Sequence, residues 1–254
     1  MSDRSDRPLP PLPSASTFLE RLAAERERAG QPGNGGRARR RTSSTREPGR
    51  PVDADAATTR ANIMAAALSC FGRSGFDRTT NNQIAGEAGI SSPTLYHYFD
   101  SKAALFQAVA DETHQQLFGR IDRRIATCNT TAQRIAAVVE VIGSMIEETP
   151  DTASFIATYA AEARRNPDVL RLSPRELWTG PIGFYTELIA YGQDAGDVVG
   201  DVESSDVAVT VVALVYGISL LIAVAPQPEI ASRVARVLER IVMEDLFVEP
   251  PHER

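Results

Sequence analysis

The sequence predicts an all-α protein, and three observations predict it. After residue 54, apolar residues recur at helical spacing, and no strict apolar–polar alternation survives beyond a few positions. Proline and glycine fall between the periodic stretches, at Pro150, Asn166-Pro167, Gly192–Gly200 and Pro226-Gln227-Pro228. Between Thr80 and Phe99, two short helical stretches flank one glycine-containing turn.

Residues 1–54 come first and read as a disordered tail, rich in Arg, Pro, Gly and Ser and without sustained apolar periodicity. One island, Ser16–Ala29, carries Phe18, Leu19, Leu22 and Ala23 on one side of a transient helix. Residues 1–50 hold eleven arginines against six acids, whereas the rest of the chain holds sixteen basic residues against twenty-seven acids. A basic tail therefore precedes an acidic body, within a formal net charge of −6. The cluster Arg37, Arg39, Arg40, Arg41, Arg46 and Arg50 reads either as a solvated linker or as an arm that reaches a nucleic-acid backbone or minor groove.

The first helix is expected over Asp55–Arg73, with Ile63, Ala66, Ala67, Cys70 and Phe71 on its packed side. Gly72, Ser74 and Gly75 end it, Phe76 plugs the core, and Asp77 and Arg78 form an exposed turn. Thr80-Asn81-Asn82-Gln83 is a capping-box pattern that starts the next helix, whose apolar face is Ile84, Ala85 and Ala88. Gly89 stops it. Ser92 as cap and Pro93 at the first helical position start the following one, Thr94–Phe99. Ser101 then caps a long helix to about Ala126. Its core set is Leu105, Phe106, Val109, Leu117 and Ile121, and its charged face is Asp111, Glu112, Asp122, Arg123 and Arg124. Further helices are expected over Ala132–Glu148, Thr152–Arg164, Asp168–Tyr191, Ser205–Ala225 and Glu229–Phe247, with Pro174 and Gly180-Pro181 kinking or breaking the third of these.

The ordered run from Thr80 through Ile84-Ala85, Ala88-Gly89-Ile90-Ser91, Thr94-Leu95-Tyr96-His97-Tyr98-Phe99 and Ser101-Lys102 resembles the TetR family of transcriptional regulators. The resemblance covers Arg60–Val109, and the remainder matches the family in length and helical character. It implies a three-helix helix-turn-helix DNA-binding domain over 55–103 and a helical ligand-binding and dimerisation domain over 104–247. Phe155–Leu170, chiefly Ala-Glu-Ala-Arg-Arg followed by Asn-Pro, resembles a subset of the family close to regulators of multidrug efflux.

The resemblance makes Tyr96 and Lys102 contacts to DNA phosphate, and Thr80, at a helix N-terminus, can present its hydroxyl and adjacent amides to phosphate as well as cap the helix. A cation on the first turn of its own helix is disfavoured by the macrodipole, so Lys102 calls for an anionic partner. It is the single lysine of the chain. Ser91, Ser92, Pro93, Thr94 and His97 front the recognition helix and are the candidates for base contact. None is arginine, so specificity rests on weaker contacts, thymine methyls or DNA shape. Asn81 and Asn82 depart from the family pattern, where one position is usually apolar; an asparagine there either loosens packing or offers a further DNA contact. Residues 55–102 carry four basic and four acidic residues, so the folded module brings few cations of its own to phosphate.

In the family the middle helices enclose an effector cavity, for which the candidates are Met145, Phe155, Tyr159, Trp178, Phe184, Tyr185 and Tyr216. Their composition suggests an apolar or aromatic small molecule, although each also reads as ordinary aromatic core. Val207, Val211, Leu214, Val215, Ile218, Leu221 and Ile222, with Ile230, Val234, Val237, Leu238 and Ile241, form two apolar stripes suited to a homodimeric four-helix contact.

No enzyme is expected. His97, His114 and His252 stand apart, Cys70 and Cys128 have no ligand spacing, and neither a phosphate loop nor G-x-S-x-G occurs. The acidic Asp194–Asp206 stretch lacks the order of a calcium loop. No cofactor, metal or membrane partner is called for. The absence of an apolar leader beside Asp3 and Asp6 leads us to expect a cytoplasmic protein with reduced thiols. The functional expectation is a homodimeric repressor on double-stranded DNA, responsive to a small molecule. The alternatives are an activator or global DNA binder without an effector, and a protein-binding module.

Overall fold

The computed structural model describes residues 52–172 and 176–224, with isolated positions 20, 24, 233 and 237. Nine helices lie among the described residues: α1 (Val52–Arg78), α2 (Asn81–Glu87), α3 (Ser92–Tyr98), α4 (Lys102–Ile125), α5 (Thr131–Glu148), α6 (Pro150–Arg165), α7 (Pro167–Leu172), α8 (Glu176–Ala195) and α9 (Ser204–Val224). The all-α expectation holds. Apart from those isolated positions, the tail and the helix expected over Glu229–Phe247 lie outside the described residues.

Local chemistry sets the boundaries. The Thr80 hydroxyl accepts from the Gln83 amide, and Gln83 Oε1 accepts from the Thr80 amide, so the capping box forms as read. Gly89 ends α2 with φ 68°. Ser91, not Ser92, is the cap of α3: its hydroxyl accepts from the Thr94 amide, and Pro93 falls one position later than expected. Ser101 caps α4 through the Ala104 amide. Helices α7 and α8 account for the expected helix over 168–191 on either side of residues 173–175, which lie outside the described residues, and Pro181 sits inside α8 without ending it.

One buried apolar cluster runs from Ile63 to Ala208 and crosses the 103/104 boundary without interruption. Phe106 on α4 is its hub. Its ring centroid lies 4.9 Å from that of Phe71 and 5.1 Å from that of Phe76, both on α1. It lies 5.1 Å from Phe155 and 5.5 Å from Tyr159, both on α6. Such edge-on and offset ring pairs each add about 0.5–1.5 kcal/mol beyond the area they bury. Asp111 departs from the sequence reading. It is buried, not on the charged face, and its Oδ1 accepts from Gln107 Nε2 at 2.9 Å. Gln107 Oε1 in turn accepts from the Tyr159 hydroxyl at 2.8 Å, which ties α4 to α6 through a buried polar chain.

The same two elements meet α1. A Cβ built on Gly72 would lie 2.6 Å from the Asp151 carbonyl oxygen. Gly75 interrupts the helical dihedrals of α1 with φ 75° and ψ 174°, a region essentially reserved for glycine. It also faces Glu162 Oε1, 2.7 Å from an added Cβ. Gly86, inside α2, meets nothing within 4 Å. Gly75→Ala is expected to destabilise by about 1–3 kcal/mol, and Gly86→Ala to stabilise by about 0.5–1 kcal/mol. Thermal unfolding of the two variants beside the parent checks both signs.

Candidate DNA-facing motif and effector cavity

Helix α3 shows two faces. Leu95 and Phe99 are buried four residues apart, whereas Pro93, Tyr96 and His97 are exposed at the i, i+3, i+4 spacing of a single opposite face. Tyr96 is 53% exposed, a large side chain left in solvent on a helix of seven residues. Thr94 and Ser91 share a hydrogen bond between their hydroxyls at 2.8 Å. Ser92 is directed back toward α2, where its hydroxyl donates to Asn82 Oδ1 at 2.6 Å. Asn81 makes a parallel tie: its Nδ2 donates to the Tyr96 hydroxyl at 2.7 Å. The two asparagines thus hold α3 against α2.

Lys102 finds its partner within the chain. Nζ donates to the carbonyls of Phe76 and Thr79 at 2.7 and 2.9 Å, and lies 4.3 Å from the centroid of the Phe76 ring. Phe76 belongs to the last turn of α1, where unsatisfied carbonyls favour a cation. The unfavourable place at the start of α4 is therefore offset at the end of α1. Partial burial lowers the Lys102 pKa, and the charges of Asp77 and Glu162 act against that shift. The ammonium has three donors, so two carbonyls leave one unspent. Buried Thr79 reinforces the corner, its single hydroxyl proton shared between the carbonyls of Gly75 at 2.7 Å and Cys70 at 3.0 Å.

A second cluster joins α1, α2 and α6. Arg73 Nη2 pairs with Glu87 Oε2 at 2.6 Å, and Nη1 lies 3.8 Å from Asp151 Oδ2. Ser69 donates to Asp151 Oδ2 at 2.5 Å, and Arg73 also bonds Ser69. Cys70 lies inside this cluster. Burial, with Glu87 beside it, pushes its thiol up to about 11, which marks a packed, protonated sulfur.

Deeper in the bundle, a cavity of about 50 Å³ lies between five helices. Thr113, His114, Leu117, Phe118 and Ile121 of α4 form one wall, with Ile142 and Met145 of α5 and Thr152 and Ile156 of α6 beside them. Pro181 and Tyr185 of α8 and Val212, Val215 and Tyr216 of α9 complete the lining. Of the residues read from sequence, Met145, Tyr185 and Tyr216 are in this wall. Phe155 and Tyr159 instead belong to the ring cluster around Phe106, and Phe184 packs on Phe118 at 5.9 Å. The side chain of Trp178 lies outside the described residues. The α4 face is not among the sequence candidates: Leu117 and Ile121 read only as core, and Thr113, His114 and Phe118 carry no cavity signal. Burial raises the phenol pKa of both Tyr185 and Tyr216.

Helix α9 uses part of its apolar surface inside the chain. Val207, Val211 and Val212 pack on the core, and Val215 lines the cavity. Val209, Leu220 and Leu221 are each about half exposed. Val237, in the second expected stripe, is also exposed; its neighbours in that stripe are not described. No described helix is long and apolar enough to cross a membrane.

Comparison with known proteins agrees with this architecture. Residues 63–109 match the family model for bacterial regulatory proteins of the tetR family, and residues 131–246 match that for the C-terminal part of BetI-type transcriptional repressors. The HTH-type transcriptional regulator UidR of Escherichia coli (strain K12) is 27% identical over 171 residues, spanning 66% of this chain and 83% of UidR. BetI of Brucella canis is 31% identical over 113 residues, 44% of this chain and 57% of BetI. Among solved structures, a TetR transcriptional regulator from Chloroflexus aurantiacus superposes with a TM-score of 0.67 at 21% identity, covering 77% of this chain and 99% of that one. A transcriptional regulator from Saccharomonospora viridis, solved in complex with choline, gives 0.66 at 19% identity, covering 76% of this chain and all of that one. The family models and the regulator relatives define the class of this protein, a DNA-binding transcriptional regulator. The chain belongs to the TetR family.

The cavity wall carries a pH signature. Burial lowers the His114 pKa below the ordinary 6.5, against the raising effect of its hydrogen bond to the Ala110 carbonyl. Below 6.5 the unfolded chain binds a proton that the folded chain refuses, so stability falls as pH drops from 6.5 toward the lowered folded value. His114→Gln is expected to flatten this part of the acid limb. Urea unfolding from pH 7 to pH 5 measures it; an unchanged slope would show that His114 is not the group responsible.

Proposed function

We propose that this protein is a ligand-responsive repressor acting as a homodimer on a near-palindromic operator. Residues 55–103 engage DNA, residues 104–247 bind an effector and dimerise, and residues 1–54 form a basic tail outside both. In this reading Tyr96, Lys102 and Thr80 meet phosphate, and Ser91, Ser92, Pro93, Thr94 and His97 front the major groove. The half-exposed Val209, Leu220 and Leu221 on α9 support a partner helix there, as a two-fold contact requires.

The observation that carries the ligand response is the continuity of α4. One 24-residue helix bears Lys102 on its first turn and Thr113–Ile121 in the cavity wall. Eleven residues separate Lys102 from Thr113, about 16 Å along the axis. The cavity is about 50 Å³, against roughly 150 Å³ for one that holds benzene. An organic effector of even six heavy atoms must therefore part the walls, and α4 and α6 are two of them. The lining suits an apolar or aromatic body. The effector shifts the DNA-binding equilibrium only by its differential affinity for the open and closed cavities.

Helix α6 supplies a second route. Thr152 lines the cavity, and the preceding residue, Asp151, holds Ser69 of α1 beside the Arg73–Glu87 pair. Breaking that pair frees α2 from α1. Arg73→Gln is expected to speed amide hydrogen exchange in α2 a few fold, in line with about 0.5–1 kcal/mol for a half-exposed ion pair, while leaving α5 unchanged. Equal change in both helices would mean general loosening instead of a local tie.

The repressor reading itself is tested by selection from a duplex DNA library, followed by salt titration of the parent and Lys102→Ala. Enrichment of a palindrome is expected, together with a salt slope shallower by about one per protomer in the variant. Light scattering should give twice the 27.5 kDa chain mass. Sequence-blind binding that disappears when residues 1–50 are deleted would favour a global binder, and absence of binding at any salt would favour a protein-binding module.

A further inference from the structure

The α2–α3 seam holds a group that is costly to keep. Asn81 Oδ1 is buried and has no hydrogen-bond partner, whereas the nitrogen of the same amide donates to Tyr96. A buried carbonyl without a donor loses its water and gains nothing in return. An apolar residue of similar size at this first position of α2 would avoid that loss and could pack toward Ile84, three residues on and fully buried. The amide therefore has to be explained by what its nitrogen does.

The direction of the bond is the informative part. Asn81 Nδ2 donates, so the Tyr96 oxygen accepts. A phenol has one proton, and accepting a hydrogen bond leaves that proton unspent. It also polarises the O–H, because linked hydrogen bonds strengthen one another. The phenol is on the exposed face of α3, on a side chain that is more than half in solvent. The neighbouring pair fixes the seam in the same place: Ser92, one turn earlier on α3, donates to Asn82 Oδ1. With both ties made, α3 cannot roll on α2 without losing two hydrogen bonds.

We propose that Asn81 is a positioning residue for DNA binding: it holds the Tyr96 hydroxyl by its oxygen, so that the phenolic proton is presented outward to a phosphate oxygen. The Asn82–Ser92 bond keeps the two helices in the register this requires. The inference rests on the DNA-binding reading of the motif given above. A phosphate oxygen is an acceptor only, so a phenol that has already spent its proton on a neighbour would be useless to it. Asn81 prevents that by offering Tyr96 a donor.

This arrangement makes stability and binding move in opposite directions. Asn81→Leu removes the unpartnered carbonyl and should raise Tm, while weakening binding about threefold to tenfold. The measurement uses the full chain and a mixed-sequence duplex of about 30 base pairs at roughly 50 mM salt, where phosphate contacts dominate. Tyr96→Phe should weaken binding by a similar factor, and the double variant should bind no worse than Tyr96→Phe alone. Asn81→Ala, which is less demanding on packing, provides the same comparison if Asn81→Leu does not fold. The proposal is overturned if Asn81→Leu or Asn81→Ala binds like the parent, if Tm and affinity fall together, or if the losses from the two sites simply add. A parent chain that fails to bind any duplex at this salt would remove the DNA-binding reading itself, and the proposal with it.

Discussion

The ring of Phe106 is where the two halves of the chain share one core. It receives Phe71 and Phe76 from α1, the helix that precedes the DNA-facing motif, and Phe155 and Tyr159 from α6, one of the helices that wall the cavity. Close-packed interiors do not yield by small continuous amounts, because a gap of even half an ångström forfeits much of the contact energy. A displacement of α4 at Phe106 must therefore be followed by α1 or break several ring contacts together. The glycine approaches at Gly72 and Gly75 follow from the same constraint. Helix α1 can reach this cluster only if its end lies directly on α6, and a side chain at either position would hold it off.

Polar side chains around that hub serve as fasteners. Lys102 closes the corner between α1 and α4, Arg73 and Asp151 close the one between α1 and α6, and Asn81 and Asn82 close the one between α2 and α3. Each fastener joins elements that apolar packing alone would let slide. The arrangement matches the division of labour in a regulator: a stiff reading head, a deformable chamber, and two helices common to both.

The reading head was legible in the sequence because its signals are local. Thr80 and Gln83, Ser101 and the long helix, and Gly89 at the end of α2 are each decided within four residues. The one-residue error at Ser91 has the same origin, since two adjacent serines offer equivalent caps and only the Thr94 amide chooses between them. Partners distant in sequence were not legible. Asp111 read as part of a charged face because its justification, Gln107, is itself secured by Tyr159, 52 residues away. The cavity wall on α4 was missed for the same reason: Leu117 and Ile121 read as ordinary core, and nothing local sets Thr113 and His114 beside α8 and α9. The lysine was noticed correctly as a cation in an unfavourable place, but the carbonyls of Phe76 and Thr79 answer it, and nothing in the local sequence says so.

The chain Tyr159–Gln107–Asp111 gives the bundle a property of its own. A seam of leucines between two helices can slip by a fraction of a turn at modest expense, with one apolar contact exchanged for another. Here a buried hydrogen bond crosses the seam, from the Tyr159 hydroxyl to Gln107 Oε1, so an offset between the helices costs a buried polar contact as well as packing. Helices α4 and α6 are thereby tied at this point by a polar bond as well as by ring packing. A displacement of either helix here must carry the other with it or break that bond.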